Sequence, residues 1–152
     1  QGSTDLRPWV SMAEALDRDP TFTVISNYGS GGDPRNRGRR HASEPSATIT
    51  GKVTRNRLEI PGRPDERFSH REAGRLQTFP PDYPWSGLDV AQQIGNAIPP
   101  RLAVHVLAAA MNWSVDDVEL DTAVRAPWTI SKIGALQVER RSADRELVTL
   151  LD

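Results

Sequence analysis

The sequence predicts an α+β fold in which a small unit of strands with one short helix precedes a series of helices. The clearest segments rich in β-branched and aromatic residues lie in the first half of the chain, which places most of the predicted strands there. Two Ser-x-x-Glu pairs, Ser11 with Glu14 and Ser69 with Glu72, have the spacing of helix capping boxes. With 152 residues, of which 37 % are hydrophobic, the chain is large enough for one domain with an appendage.

The first 64 residues contain the short elements. A helix is predicted directly after Ser11, where apolar residues follow the capping serine. Glycine and arginine dominate residues 28–40, which are predicted to form a loop. The predicted strands are residues 21–26, 47–53 and, more weakly, 57–60.

The second half is predicted to be helical. A helix over residues 70–78 is stopped by Phe79-Pro80-Pro81, and a short helix over residues 86–94 is expected to end at Gly95 in a left-handed cap. Pro99-Pro100 then opens a helix to Trp113 that is apolar almost all round. Because so little of the chain can surround it, this helix predicts a partner surface elsewhere, and self-association or partial disorder without that partner. Weak signals predict a strand over residues 127–133 and a helix over residues 143–151.

Charge is unevenly distributed, although the net charge is only -1. Residues 33–57 hold seven Lys or Arg and two Asp or Glu, whereas residues 114–152 hold five and eight. This balance excludes a uniformly basic DNA coat, and the apolar runs are too short for a membrane span. Absence of cysteine excludes disulfides, thiolate metal sites and a cysteine nucleophile within this chain. The three histidines have no metal-ligand spacing, so no metal site is predicted.

Two sequence blocks carry a family resemblance. The first runs Arg-Phe-Ser-His-Arg-Glu-Ala-Gly-Arg-Leu-Gln-Thr-Phe-Pro over residues 67–80 and is followed by Asp82-Tyr83. The second runs Gln-Ile-Gly-Asn-Ala-Ile-Pro-Pro over residues 93–100. In this order and at this separation they resemble the last two conserved blocks of cytosine-5 DNA methyltransferases. Thr48-Ile49 resembles the Thr-Leu/Ile/Val pair that such enzymes carry in their target-recognition domain.

The resemblance implies a division of the chain and a place for it in a larger enzyme. Its helices would pack on a Rossmann-like methyltransferase core that this chain lacks. The nucleophilic Cys after Pro, the glycine-containing cofactor loop and the block with the cytosine-binding Glu are also absent from the 152 residues. The implied segments are a target-recognition unit at 5–64, the two helical blocks at 65–113, and an acidic extension of unknown role at 114–152. Residues 1–4, which begin Gln-Gly-Ser rather than with Met, are predicted to be a cloning remnant.

Site residues follow from the same resemblance. An arginine-rich segment is by itself typical of a solvated surface, but in a recognition unit it predicts contacts with duplex DNA. The predicted DNA-binding residues are Arg35, Arg37, Arg39, Arg40, Thr48, Lys52, Arg55 and Arg57. Asn96 and Ala97 are expected beside S-adenosylmethionine, as part of its site. Arg71, Glu72 and Arg75 are expected to be structural, with Arg75 pairing Glu72 one helical turn away.

The sequence therefore predicts the C-terminal part of a DNA (cytosine-5-)-methyltransferase, inactive on its own. Its expected partners are double-stranded DNA and a catalytic N-terminal half, on the same or another chain, in a cytoplasmic, nucleoid-associated protein with no membrane contact. Two alternatives stay open, namely the recognition subunit of a split methyltransferase and a non-enzymatic DNA-binding module.

Overall fold

A computed structural model describes residues 8–29 and 33–128. Its fold is α+β, as predicted, with a three-stranded antiparallel sheet and five helices in these residues. The strands are β1 (Thr23–Gly29), β2 (Arg37–His41) and β3 (Arg57–Glu59). The helices are α1 (Met12–Leu16), α2 (His70–Leu76), α3 (Val90–Asn96), α4 (Pro100–Met111) and α5 (Asp117–Arg125). Short 3-10 turns cover Pro34–Asn36 and Val53–Arg55.

The sheet has β1 in the centre, flanked by β2 and β3. Val24 lies opposite Arg40 on one side and Leu58 on the other. Ile25 lies opposite Arg39 and Arg57 in the next row. Since successive residues of a strand point to opposite faces, these rows belong to different faces of the sheet.

One hydrophobic core lies under the Val24 face and contains residues from both halves of the chain. It is formed by Met12, Ala13, Leu16, Phe22, Val24, Ala42, Ile49, Val53, Leu58, Phe68, Ala73 and Ile94. No polar or charged side chain in the described residues is fully buried. The core thus joins the predicted recognition unit to the two helical blocks.

Both predicted capping serines begin helices. The Ser11 hydroxyl accepts the backbone N–H of Glu14 at the start of α1. At α2, Ser69 accepts the Glu72 N–H while the Glu72 carboxylate accepts the Ser69 N–H, which completes a reciprocal capping box. These hydrogen bonds satisfy donors that the first helical turn leaves unpaired.

Two predictions for the first half were wrong. The predicted loop at residues 28–40 contains the five-residue strand β2, whose side chains are largely exposed and therefore show no apolar alternation. The predicted strand at residues 47–53 is instead a turn, in which the Val53 N–H donates to the Thr50 carbonyl at 2.9 Å. Ile49 and Val53 enter the core from this turn, so their burial rather than strand pairing explains the apolar pattern.

The second half also required corrections. α3 begins at Val90, because Gly87 and Asp89 have positive φ angles of 85° and 63° that interrupt any earlier helix. Gly95 lies inside α3 and is not a left-handed cap; the C-cap is Ala97 at φ -71°. Helix α4 ends at Met111 with Asn112 in the left-handed conformation.

The acidic extension contains a helix that was not predicted. α5 is capped by Asp116, whose carboxylate accepts the N–H groups of Val118 and Glu119. Residues 127 and 128 are not in a strand. The rest of the predicted 127–133 strand, the predicted 143–151 helix and residues 1–4 lie outside the described part of the chain. None of the described helices is long and apolar enough to span a membrane.

Candidate nucleic-acid interface

Two predicted DNA-binding arginines lie side by side on the face of the sheet opposite the core. Arg39 and Arg57 flank Ile25, which is only 2 % exposed. Both donate to the Glu59 carboxylate, Arg39 at 2.5 Å to Oε2 and Arg57 at 3.0 Å to Oε1. Arg57 Nε also lies 3.2 Å from Asp65. A cross-strand ion-pair cluster therefore covers this face of the sheet.

The remaining predicted arginines are placed differently. Arg35 pairs locally with Asp33 at 3.3 Å and is 91 % exposed at its side chain. Within residues 8–29 and 33–128, no ion pair is found for Arg37, Arg40 or Arg55. Arg40 and Arg55 are exposed, and Arg37 is half-buried. These three guanidinium groups are available for an anionic partner.

Thr48 and Lys52 are exposed on a turn that the core holds firmly. Ile49, next to Thr48, is 7 % exposed, and Val53, next to Lys52, is 1 % exposed. The Lys52 N–H donates to the Thr50 hydroxyl at 3.3 Å, which tightens the turn. Buried anchors thus alternate with exposed polar residues over a few positions.

This turn touches the block formed by α3 through two glycines. A Cβ built on Gly95 would lie 2.2 Å from the Gly51 nitrogen and 2.4 Å from the Thr50 carbonyl carbon. A Cβ on Gly51 would lie 2.2 Å from the side-chain oxygen of Gln92. Only glycine permits so close an approach of two backbones. The contact brings the Thr48 turn next to the turn after α3.

The two predicted cofactor-binding residues follow directly. Asn96 is exposed, and its side-chain oxygen accepts a hydrogen bond from Gln92 at 2.9 Å. Its two amide donors have no partner among the described residues. The Ala97 N–H donates within the helix end, to the carbonyls of Gln93 and Ile94, and is therefore not free for a cofactor.

Of the three predicted structural residues, two tie α2 to α1. Glu72 accepts from Arg18 at 2.9 Å, and Arg75 donates to the Asp17 carboxylate at 2.5 Å and to the Leu16 carbonyl at 3.1 Å. The predicted pairing of Arg75 with Glu72 was therefore wrong, because Arg75 binds the C-terminal end of α1 whereas Glu72 binds Arg18 just beyond it. Arg71 is exposed.

Arg18 is the residue that sequence reasoning missed. It bridges Glu66 at 2.7 Å and Glu72 at 2.9 Å, and its guanidinium carbon lies 5.2 Å from the centre of the Phe22 ring. Burial lowers the pKa of Arg18, but hydrogen bonds and charges from both carboxylates outweigh it and hold that pKa above its ordinary value. Nothing in the sequence indicated this role beyond the positive charge of Arg18, because its partners Glu66 and Glu72 are distant in sequence.

Helix α4 presents an apolar surface. Five of its side chains or close neighbours are more than half exposed, and the only buried residue of the helix is Ala108. Those five are Leu102, Val106, Leu107, Met111 and Trp113. One side of the helix is covered by α5, through ion pairs of Arg101 with Asp117 and Asp121. The extension then reaches Trp128, which packs on Tyr83 with ring centres 5.0 Å apart.

Most of the chain matches one known protein family. Residues 6–112 match the model of the C-5 cytosine-specific DNA methylases, which covers the sheet, the first four helices and both sequence blocks. The chain belongs to this family. No solved structure matches it. Among the described residues, no group of His, Asp and Glu side chains is arranged to hold a metal ion in this DNA methylase segment.

Curated relatives of this DNA methylase segment are Type II methyltransferases. The chain is 37 % identical over 103 residues to M.Sau96I of Staphylococcus aureus, which covers 64 % of the chain and 23 % of that protein. It is 33 % identical over 88 residues to M1.HphI of Haemophilus parahaemolyticus, covering 57 % and 23 %. It is 32 % identical over 102 residues to M.BbvI of Brevibacillus brevis, covering 66 % and 27 %. The chain thus spans about a quarter of the length of the curated relatives it matches.

Proposed function

We propose that this chain is the C-terminal portion of a DNA (cytosine-5-)-methyltransferase, where it binds duplex DNA and completes the S-adenosylmethionine side of the active site. The observation that carries the proposal is the contact of Gly51 with Gly95. Through it the Thr48 turn, expected at the DNA backbone, adjoins Asn96, expected at the cofactor. An enzyme that transfers a methyl group to a base needs these two functions side by side.

The chemistry assigned to this chain is binding and positioning. Exposed arginines and Lys52 would contact phosphates, which fix the register of the duplex. The target cytosine must leave the base stack to react, and a firmly anchored turn can hold the backbone during that step. The cysteine that attacks the base would come from another segment, since this chain contains none.

The exposed turn at Asn96 fits a polar cofactor. Its unpartnered amide donors are suited to a carboxylate or hydroxyl group of S-adenosylmethionine, which supplies the methyl group when bound. Ala97 would contribute shape rather than a hydrogen-bond donor, because its N–H is already used. The catalytic portion would supply the remaining walls of that site.

The apolar face of α4 supports a catalytic portion as partner. Side chains such as Leu102, Val106 and Met111 are more than half exposed on a helix that lies within the family-matched region. A surface of this kind is typical of an interface with another folded unit. Whether that unit precedes this chain or is a separate subunit, the interface would be the same.

Duplex binding by the 152-residue chain tests the proposal. We expect fluorescence anisotropy to detect binding to a labelled duplex that weakens as salt is raised from 50 to 200 mM, because phosphate contacts release counterions. A variant with Arg40 and Arg55 replaced by glutamine should show binding that depends less steeply on salt. The slope of log binding constant against log salt concentration should fall by the equivalent of about two phosphate contacts. Absence of duplex binding at 50 mM salt would refute the DNA-binding role.

A further inference from the structure

We propose that Arg39 and Arg57 read guanine bases, whereas the unpaired arginines contact phosphates. This inference rests on the proposed function and assigns separate roles to its predicted DNA-binding residues. It depends on how each guanidinium group is held, which the sequence pattern does not indicate. The comparison is between the two arginines bound to Glu59 and the three without an ion pair in residues 8–29 and 33–128, namely Arg37, Arg40 and Arg55.

Glu59 holds the two arginines in a defined orientation. Its two carboxylate oxygens each accept from a different guanidinium, and Asp65 holds Arg57 from a second direction. These side chains stem from the two outer strands of the sheet and the loop after β3, on either side of the buried Ile25 of the central strand. An arginine held in this way has already lost the rotational freedom that binding would otherwise restrict.

The bound arginines still have donors to offer. Arg39 is 58 % exposed and Arg57 is 48 % exposed at the side chain, so much of each group faces solvent. A guanidinium carries five N–H groups, and the observed ion pairs occupy one of them in Arg39 and two in Arg57. The others can donate to the O6 and N7 atoms of guanine, the usual partners of arginine in the major groove.

Charge separates the two groups of arginines. Glu59 and Asp65 neutralise Arg39 and Arg57, so this pair adds little net attraction for a phosphate backbone. Arg37, Arg40 and Arg55 have no neighbouring carboxylate in an ion pair within residues 8–29 and 33–128. Oriented donors with little net charge suit recognition by hydrogen bonds, whereas free cations suit the sequence-independent attraction of phosphates.

The sheet itself suits this role. A β-ribbon fits the major groove, whose base pairs follow one another every 3.4 Å. Two guanidinium groups bound to one carboxylate are close enough to contact neighbouring base pairs. The expected preference is therefore for duplexes in which two guanines lie close together on one or both strands.

Selection of duplexes from a randomised pool by the 152-residue chain provides the test. We expect enrichment of guanine at one or two positions. Arg39→Lys and Arg57→Lys keep the charge but lose the planar fork, and each should reduce the preference at one position roughly tenfold or more. The matched control Arg40→Lys should leave every preference unchanged.

Glu59→Gln provides a second, independent variant. It removes the shared carboxylate, so both arginines gain mobility and effective charge. We expect stronger binding to duplexes without the preferred guanines, and a weaker guanine preference. The slope of log binding constant against log salt concentration should steepen by the equivalent of up to about two phosphate contacts. Circular dichroism of each variant checks that the sheet is retained.

These measurements distinguish failure of the proposed DNA binding from failure of the roles assigned to the arginines. If the chain binds no duplex, the proposed function fails and this inference fails with it. If the chain binds duplexes but the lysine variants and Glu59→Gln keep the original preference, only this inference is overturned. The ion pairs would then serve the sheet alone. If Arg40→Lys loses the guanine preference as well, the division of roles is likewise overturned.

Discussion

A methyl group at Gly95 has no room in this fold, which makes Gly95→Ala a direct test of the contact between α3 and the Thr48 turn. The added Cβ would lie 2.2 Å from the Gly51 nitrogen, whereas ordinary contacts begin at 3.4 Å. Its neighbours are backbone atoms and cannot rotate away as a flexible side chain would. Helix α3 or the turn must therefore move by about 1 Å.

Two opposing effects set the size of the change. Alanine is favoured over glycine inside a helix by about 0.5–1 kcal/mol. Overpacking of a tight interface costs about 1–3 kcal/mol, and overlap with backbone atoms lies at the upper end. We therefore expect Gly95→Ala to lower the free energy of unfolding by about 2 kcal/mol, or roughly 1 M in the urea midpoint.

Urea unfolding followed by circular dichroism measures this change. The matched control is Gly38→Ala in β2, where the nearest atom to a new Cβ is the Ser26 Cβ at an ordinary 3.8 Å. That variant should be as stable as the original chain or slightly more so. A Gly95→Ala midpoint equal to or above that of the original chain would refute the close approach.

Substitutions at three further residues test other contacts. Arg18→Met should lower the free energy of unfolding by about 1–3 kcal/mol, because it leaves the half-buried Glu72 carboxylate without its cation, and a urea midpoint checks this. Trp128→Ala should lower the free energy of unfolding by about 1 kcal/mol through the lost ring contact with Tyr83. Trp128→Phe keeps a ring and removes an indole N–H that has no acceptor among the described residues, so its melting temperature should stay unchanged or rise. Val106→Lys should reduce self-association of the chain in light scattering without altering its helix content, and a purely monomeric original chain would contradict this.

The two helix starts marked by a capping serine were the most predictable features among the described residues. Ser11 and Ser69 cap their helices with residues three positions away, so the signal is contained in a short window. Strand β2 gave no such signal, since its arginines are exposed and its pairing with β1 is set by tertiary structure. The sequence could not show whether Gly95 serves a turn or a close contact. The residue that makes glycine necessary there is Gly51, which is distant in sequence and adjacent only in the fold.

The candidate site was predictable in its residue types and not in its arrangement. Sequence patterns indicated which arginines belong to the basic segment, but not that Glu59 holds two of them. The partner of Glu72 was also beyond reach, because Arg18 is 54 residues away in sequence. The roles assigned to these residues in DNA and cofactor binding stay predictions until they are measured.

Strand β2 lies at the edge of the sheet, and this position has a consequence for solubility. An edge strand presents unpaired backbone groups to which a second copy of the chain can add its own strand. The charges of Arg37 and Arg40, which have no ion pair in residues 8–29 and 33–128, oppose such pairing by keeping two copies of this edge apart. Replacing both with neutral residues would therefore favour precipitation, and the resulting loss of binding would be mistaken for a lost DNA contact.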